Sequence, residues 1–300
     1  MAKNPRDIPA AIACQVRRRC GFGCVICGCP VYDIHHIQPW AEVHEHKPEN
    51  LTLLCGSHHA QKSKGLISCD RVREFNKSPM NLQKGETSRY PLLFEGDSCN
   101  ILIGNNLFMN HSQTSFFSAI MIDNVSILGF AFVEHRLLLS VSLYDEYNRP
   151  VLLVTEGWLT AVTTPWDITF IGDTLTIRDA PRKIRLEISF QPPCTLRVRR
   201  GMFLCNGVAL AVSEHGVECL NTGQVLANCD FVSNGFGLGF GCIPDSFPGC
   251  WGNREVRRYS ESLSLTHMPK SPQSWLEALR PTESSAGIPP APTPPDSSVK

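Results

Sequence analysis

The sequence predicts an α+β chain: a small N-terminal metal-bound domain, a larger all-β domain of antiparallel sandwich or barrel type, and a disordered C-terminal tail. Three observations carry this expectation. Between Cys24 and Gly65 the run CVICGCPVYDIHHIQPWAEVHEHKPENLTLLCGSHHAQKSKG gathers cysteine and histidine at metal-ligand spacing. From Tyr90 the chain becomes a succession of short alternating apolar runs broken by Asn, Asp, Gly and Pro, the pattern of strands joined by tight turns. The final stretch, PTESSAGIPPAPTPPDSSVK, has a composition that cannot bury a core. The expected boundaries are 1–80 for the first domain, 81–89 for a linker, 90–253 for the all-β domain and 254–300 for the tail.

Composition narrows the class. Three hundred residues suffice for one or two domains with real cores. No segment approaches the apolar run of a transmembrane helix, so no membrane is expected as a partner. MAKNPRDIPAAIACQ lacks the apolar region of a signal peptide, so a cytoplasmic protein is expected. The 14 cysteines fit that compartment: Cys24, Cys27 and Cys55 stand at ligand spacing, and the later ones (Cys99, Cys194, Cys205, Cys219, Cys229, Cys242, Cys250) are scattered as small buried side chains would be. The net charge of zero conceals an asymmetry, because residues 1–80 carry 11 Lys+Arg against 7 Asp+Glu and the remainder 17 against 21. A mildly basic N-terminal part suits a polyanionic substrate.

Taken in order, Pro9 opens a helix through AAIACQVRRRC, with Ile12, Val16 and Cys20 at helical spacing and Gly21 and Gly23 ending it. Arg17, Arg18 and Arg19 cannot share one face; they are either a solvated last turn favoured by the helix dipole or a source of one or two phosphate contacts. Arg18 is the candidate contact. DIHHI reads as a short strand, AEVHEHKPEN as a polar loop and LTLLC as a second strand. Ser57 is a candidate cap for a helix that stops at Gly65, and Ser68 a candidate cap for a helix over SCDRVREFNKSP that stops at Pro79. MNLQKGETSR reads as linker. Beyond it, KIRLEISF alternates cleanly, with Ile184, Leu186, Ile188 and Phe190 on one face, while Gly-Asp and Asn-Gly in FIGDTLTIRD and FLCNGVALAV signal hairpins. A stacked solenoid is the competing architecture, although no strict repeat is present. The Gly-rich SNGFGLGFG lacks the strand–loop–helix context of a phosphate loop and reads as sheet turns.

The cysteines and histidines of residues 24–65 fall into two sets. Cys24, Cys27, Cys55 and His58 form two short-range pairs on separate segments, the arrangement that closes a tetrahedron around structural Zn2+. Cys20 and Cys29 compete by proximity. His35, His36, Asn50 and His59 remain. Successive strand residues point to opposite faces, so one of His35 and His36 can face a metal and the other a substrate. His59 lies about 100° around the helix from His58 and points away from the zinc. Two histidine ligands on an ion with open positions, plus an imidazole free to activate water, is a hydrolytic arrangement.

The order His36, thirteen residues, Asn50, eight residues, His59, set between CxxC and LCxxHH, resembles the HNH endonuclease family over roughly residues 14–66. The resemblance implies the ββα-metal fold and a metal-dependent endonuclease that hydrolyses phosphodiester bonds, with nucleic acid, double-stranded DNA first, as partner. It further implies that His36 is the general base and that Asn50 orients it through its loop. His35 and His59 would hold a catalytic divalent ion, Mg2+ or Mn2+, with Zn2+ also allowed. The sequence departs from the commonest family pattern at His58, where a fourth Cys is usual, which leaves open whether His58 or His59 takes which metal. Lys62, one turn beyond His59, is a candidate phosphate contact, with an exposed helix lysine as the alternative. His44 and His46 read as solvent-exposed loop residues, and Trp40 as packing the loop over the strands. The competing function is a non-catalytic zinc module that binds nucleic acid or protein.

Overall fold

The computed structural model describes residues 7–111, 116–232, 235–243, 249–256 and 258. The chain opens with α1 (Ala10–Arg19), which Pro9 precedes as N-cap and which buries Ala13, Cys14 and Val16. Gly21, at φ +68°, then turns the chain toward Cys24. A small layer follows: β1 (Asp33–His36), α2 (Trp40–Val43), a 3-10 turn at Pro48–Asn50, β2 (Leu51–Leu54) and α3 (Gly56–Ser63). β1 and β2 pair antiparallel, His35 opposite Thr52 and His36 opposite Leu51. Two further helices, α4 (Cys69–Lys77) and α5 (Met80–Lys84), close the region.

Most of these elements fall where the sequence places them, with three differences. The AEVHEHKPEN loop is not wholly irregular, because α2 and the 3-10 turn lie within and beside it. Cys55, not Ser57, precedes the first residue of α3, and no side chain caps that helix. The MNLQKGETSR stretch contains α5 and buries Asn81, whose amide donates to the Gly21 carbonyl at 2.8 Å. Gly65 does end α3 in the left-handed region, at φ +75°, and the Ser68 hydroxyl does accept from the Arg71 N–H.

The core of this layer is small: Val16, Cys20, Val25, Leu51, Leu53 and Leu54 with Cys24 and Cys55. Such a core contributes little stability alone, and small layers of this size commonly draw on a bound metal for the rest.

The remaining strands divide between two sheets. In chain order they are β3 (Tyr90–Pro91), β4 (Phe94–Glu95), β5 (Ser98–Ile103), β6 (Asn106–His111), β7 (Phe116–Ile122), β8 (Val125–Val133) and β9 (Arg136–Tyr144). Next come β10 (Pro150–Thr155), β11 (Trp158–Ala161), β12 (Asp167–Ile171), β13 (Thr174–Ala180), β14 (Lys183–Gln191) and β15 (Thr195–Cys205). The last are β16 (Val208–Ser213), β17 (Gly216–Cys219), β18 (Gln224–Leu226), β19 (Asp230–Val232), β20 (Phe236–Phe240) and β21 (Gly249–Asn253). β7 to β11 form one antiparallel meander and β12 to β18 another. Two-residue turns with both central residues at positive φ join β7 to β8 (Asp123-Asn124), β8 to β9 (Glu134-His135) and β15 to β16 (Asn206-Gly207). That geometry matches the twist of the strands it connects.

The expected antiparallel character holds within the meanders. It fails where distant strands return to the sheets: β5 lies parallel to β15, β19 to β6, and β20 to both β7 and β21. No hairpin joins these pairs, so nothing local could announce them. Both sheets contribute to one continuous buried cluster that includes Phe94, Ile101, Leu139, Ile177, Ile188 and Phe203. β14 keeps its apolar face inward, but Ser189 is also buried, its hydroxyl 2.8 Å from that of Thr174. Of the expected tail, Val256 is buried and the Arg258 guanidinium pairs with Asp123 at 2.7 Å; residue 257 and residues 259–300 lie outside the described residues.

The N-terminal layer is docked on the sheets through polar contacts of fixed geometry. Arg17 donates twice to Asp167, both at 2.7 Å, and the Tyr32 hydroxyl donates to the Ile168 carbonyl at 3.0 Å. The Arg17–Asp167 pair is almost fully enclosed, with 14% and 4% of the side chains exposed. Phe22 inserts into the large sheet core, and Ser88 donates to the Cys27 carbonyl at 2.6 Å.

Candidate functional site

Two clusters stand at the ends of β1, β2 and α3. The first is Cys24, Cys27, Cys55 and His58, whose ligand atoms all lie within 4.8 Å of one another. Cys27 Sγ is 3.7 Å from Cys55 Sγ, and His58 Nδ1 is 3.4 Å from Cys24 Sγ and 3.3 Å from Cys55 Sγ. A tetrahedral ion with Zn–S bonds near 2.3 Å has ligand–ligand edges of roughly 3.8 Å, so a zinc ion fits with small adjustments. The competing cysteines are engaged elsewhere: Cys29 Sγ donates to the Val31 carbonyl and Cys20 Sγ to the Asn76 side-chain oxygen.

The turn that carries the CxxC pair depends on Gly28, at φ +76°, where a Cβ would meet the Asn81 and Ser88 side chains. A hydrogen bond from the Cys27 thiol, joined by backbone N–H groups, holds Cys24 down at about 4. The same bond pushes Cys27 up. A divalent cation offsets the repulsion among the thiolates that such a cluster would otherwise suffer. The chain therefore holds a Cys3His group suited to a structural metal such as zinc.

The second cluster is split by the pleat of β1. On one face His35 meets His59 from the first turn of α3, the rings 4.7 Å apart and nearly perpendicular at 84°. On the other face His36 Nε2 is 3.2 Å from His46 Nδ1. Trp40 braces that pair, stacked on the His46 ring at 4.5 Å and edge-on to His36 at 5.3 Å.

Asn50 grips the chain just beyond His36. Its side-chain oxygen accepts from the Gln38 N–H at 2.8 Å and its amide donates to the Gln38 carbonyl at 3.3 Å, while its own carbonyl accepts from the Ile37 N–H at 2.8 Å. Lys62 lies at the end of β1, with its ammonium donating to Cys69 Sγ at 3.2 Å; that thiol donates in turn to the Ile37 carbonyl.

The electrostatics favour neutral imidazoles. Burial, then His59, Lys62 and His36, push His35 down to about 4. Burial, then His46, lower His36 as well. A neutral ring can bind a cation or accept a proton, and a protonated one can do neither.

The structure thus joins His35 to His59, His36 to the Asn50 loop, and His58 to the three cysteines. It separates the arginines of α1: Arg17 is bound to Asp167, Arg19 donates to the Leu51 carbonyl at 2.6 Å, and Arg18 is left exposed on a cleft. His46 is the residue that the sequence does not reveal, because nothing in its polar loop distinguishes it from a solvent-exposed side chain. The available signal was Trp40, six residues earlier, an aromatic able to fold that loop back over β1.

Residues 24–65 match the family model described as HNH endonuclease, so the chain carries an HNH domain there. No curated protein and no solved structure matches the chain. No helix among the described residues is long and apolar enough to cross a membrane.

Proposed function

We propose that this chain is a metal-dependent endonuclease that hydrolyses phosphodiester bonds in nucleic acid, with double-stranded DNA as its substrate. The observation that carries the reading is the placing of His35 and His36 on opposite faces of one strand, each against a second histidine, inside the matched HNH segment. His36 is the general base. For its Nδ1 to accept a proton from the attacking water, its Nε2 must carry the hydrogen and donate to His46 Nδ1. His46 thereby fixes the tautomer, and its nearness keeps His36 neutral and able to accept a proton. Asn50 acts through Gln38, holding the backbone just beyond His36 so that the ring keeps its aim.

His35 and His59 would hold a divalent ion (Mg2+, Mn2+ or Zn2+) whose charge, when bound, stabilises the pentacovalent phosphorus and the leaving 3′ oxygen. Lys62 and Arg18 are assigned to phosphate contacts. The Cys3His metal holds the layer together and takes no part in the reaction. Residues 1–80 act as the nuclease domain, joined through 81–89 to the β region. Thiolate ligands need a reducing compartment, which favours the cytoplasm.

The test is plasmid cleavage by the purified chain with Mg2+ or Mn2+. His36→Ala is expected to lower the rate by about 10² to 10⁴, the usual range for a lost general base, with the zinc content unchanged. Binding of DNA without cleavage across several divalent ions would instead make the chain a zinc-bound binding module.

A further inference from the structure

A cleft of about 1000 Å³ opens between α1 and the β12–β13 hairpin. Five arginines line it (Arg17, Arg18, Arg19, Arg178 and Arg182) against one carboxylate, Asp167. That carboxylate is already neutralised by the two hydrogen bonds that Arg17 donates to it. Arg178 lies 3.9 Å from it and donates weakly to Thr169. Arg18 and Arg182 are exposed, and no acidic partner is recorded for either among the described residues. Arg182 is carried out on the two-residue turn between β13 and β14, at φ +65°. The cleft is thus basic, with two charges free to meet a ligand.

We infer that this cleft holds the phosphate backbone of the nucleic acid away from the scissile bond, so that the β region supplies part of the substrate surface. Arg18 and Arg182 are the contacts from its two walls, Arg178 a third within it, and half-buried Trp166 offers a face for a sugar or base. The inference rests on the nuclease reading for the identity of the ligand.

Position supports it. The wall formed by α1 also packs on β2, and Arg19 holds the carbonyl of Leu51, the cross-strand partner of His36. The helix that walls the cleft is thus tied directly to the strand paired with His36. A small anion would need one or two of these guanidinium groups in a closed site, whereas an elongated polyanion uses charges spread along two walls.

The experiment uses the full chain with His36→Ala, so that binding is read without turnover. Fluorescence anisotropy on a labelled duplex of about 30 base pairs compares it with the same chain carrying Arg18→Glu and Arg182→Glu. At about 0.1 M salt the pair should weaken binding at least tenfold. The plot of log affinity against log salt should become shallower by about 1.8, since each lost phosphate contact in B-DNA removes about 0.9. Arg18→Gln with Arg182→Gln repeats the test with charge removed and side-chain size kept, and zinc content and thermal melting should match the parent.

Affinity within twofold and an unchanged salt slope in the Gln pair would overturn the inference. Displacement of the duplex by polyglutamate as readily as by unlabelled duplex would overturn it too. The two readings fail separately. If the chain with His36 intact does not cleave plasmid, but binding still collapses in the charge variants, the cleft stands without the nuclease. If the chain with His36 intact cleaves, and the same charge changes made in it leave binding and cleavage alike, the cleft alone is removed.

Discussion

The Cys3His cluster and the four-histidine cluster share α3, yet they are built on opposite plans. In the first, four ligand atoms converge within 4.8 Å and leave no position open. In the second, the histidines form two separate pairs on the two faces of β1, half-buried and facing outward. The difference comes from two doublets. His58 and His59 are neighbours on a helix, where one step is about 100°, and His35 and His36 are neighbours on a strand, where one step reverses the face. Each doublet is therefore divided between two groupings, and residues far apart in sequence are brought together instead. Closure suits a metal that holds a fold; an open pair suits a metal that must still meet substrate.

The strongest way to break this comparison is to remove the closed site. Structural zinc binding in small modules is worth on the order of 10 kcal/mol or more, far beyond what the few buried side chains of this layer supply. Cys55→Ser, or stoichiometric removal of zinc by a chelator, should unfold residues 10–80 and abolish cleavage, while the β sheets keep a separate thermal transition. Circular dichroism with metal analysis reads this. A zinc-free chain that stays folded and still cleaves with Mg2+ would show that the cluster does not hold the layer.

A smaller effect sharpens the division between neighbours. His59→Ala should retain one zinc per chain and lower cleavage by about 10³, in the range expected when a catalytic metal or base is lost. His58→Ala should lose the zinc itself. Should His59→Ala shed the zinc and His58→Ala keep it, the two histidines have been assigned the wrong way round.

How much of this was legible in the sequence follows from the range of the interactions. The CxxC and CxxH pairs, the two strands, the Gly65 stop and the Ser68 cap all rest on residues a few positions apart, so spacing revealed them. The alternation that separates His35 from His36 was readable for the same reason. The choice of Cys24, Cys27, Cys55 and His58 over Cys20 and Cys29 needed three dimensions, since all lie close in the chain and only their side-chain partners differ. The Arg17–Asp167 pair spans 150 positions and has no local signal, so spacing could set the three adjacent arginines on different faces but could not show that one is bound to the sheets, one to a carbonyl and one to neither. Turns such as Asn206-Gly207 announced themselves. Glu134-His135 adopts the same kind of turn without a glycine, held by the strands on either side. The parallel pairings had no local signal at all.

The smallest expected effect concerns His46. If it only fills space beside His36, His46→Ala should lower the rate without changing its pH dependence. If it fixes the tautomer, the rate should fall about tenfold, the cost of one positioned hydrogen bond, and the acid limb should move. In the parent, burial and repulsion from His46 hold His36 below the ordinary imidazole value. Protonation, which removes the base, therefore sets in only at a pH below about 6.5, and activity should persist through that pH and fall beneath it. Removing His46 takes away the repulsion and admits water to the ring. Both changes raise the His36 pKa, so the limb should shift to higher pH, toward about 6.5. A pH profile of kcat/KM at saturating metal, for parent and variant, reads the shift. A limb that stays in place while the rate falls would reduce His46 to packing and leave Asn50 as the group that aims the base.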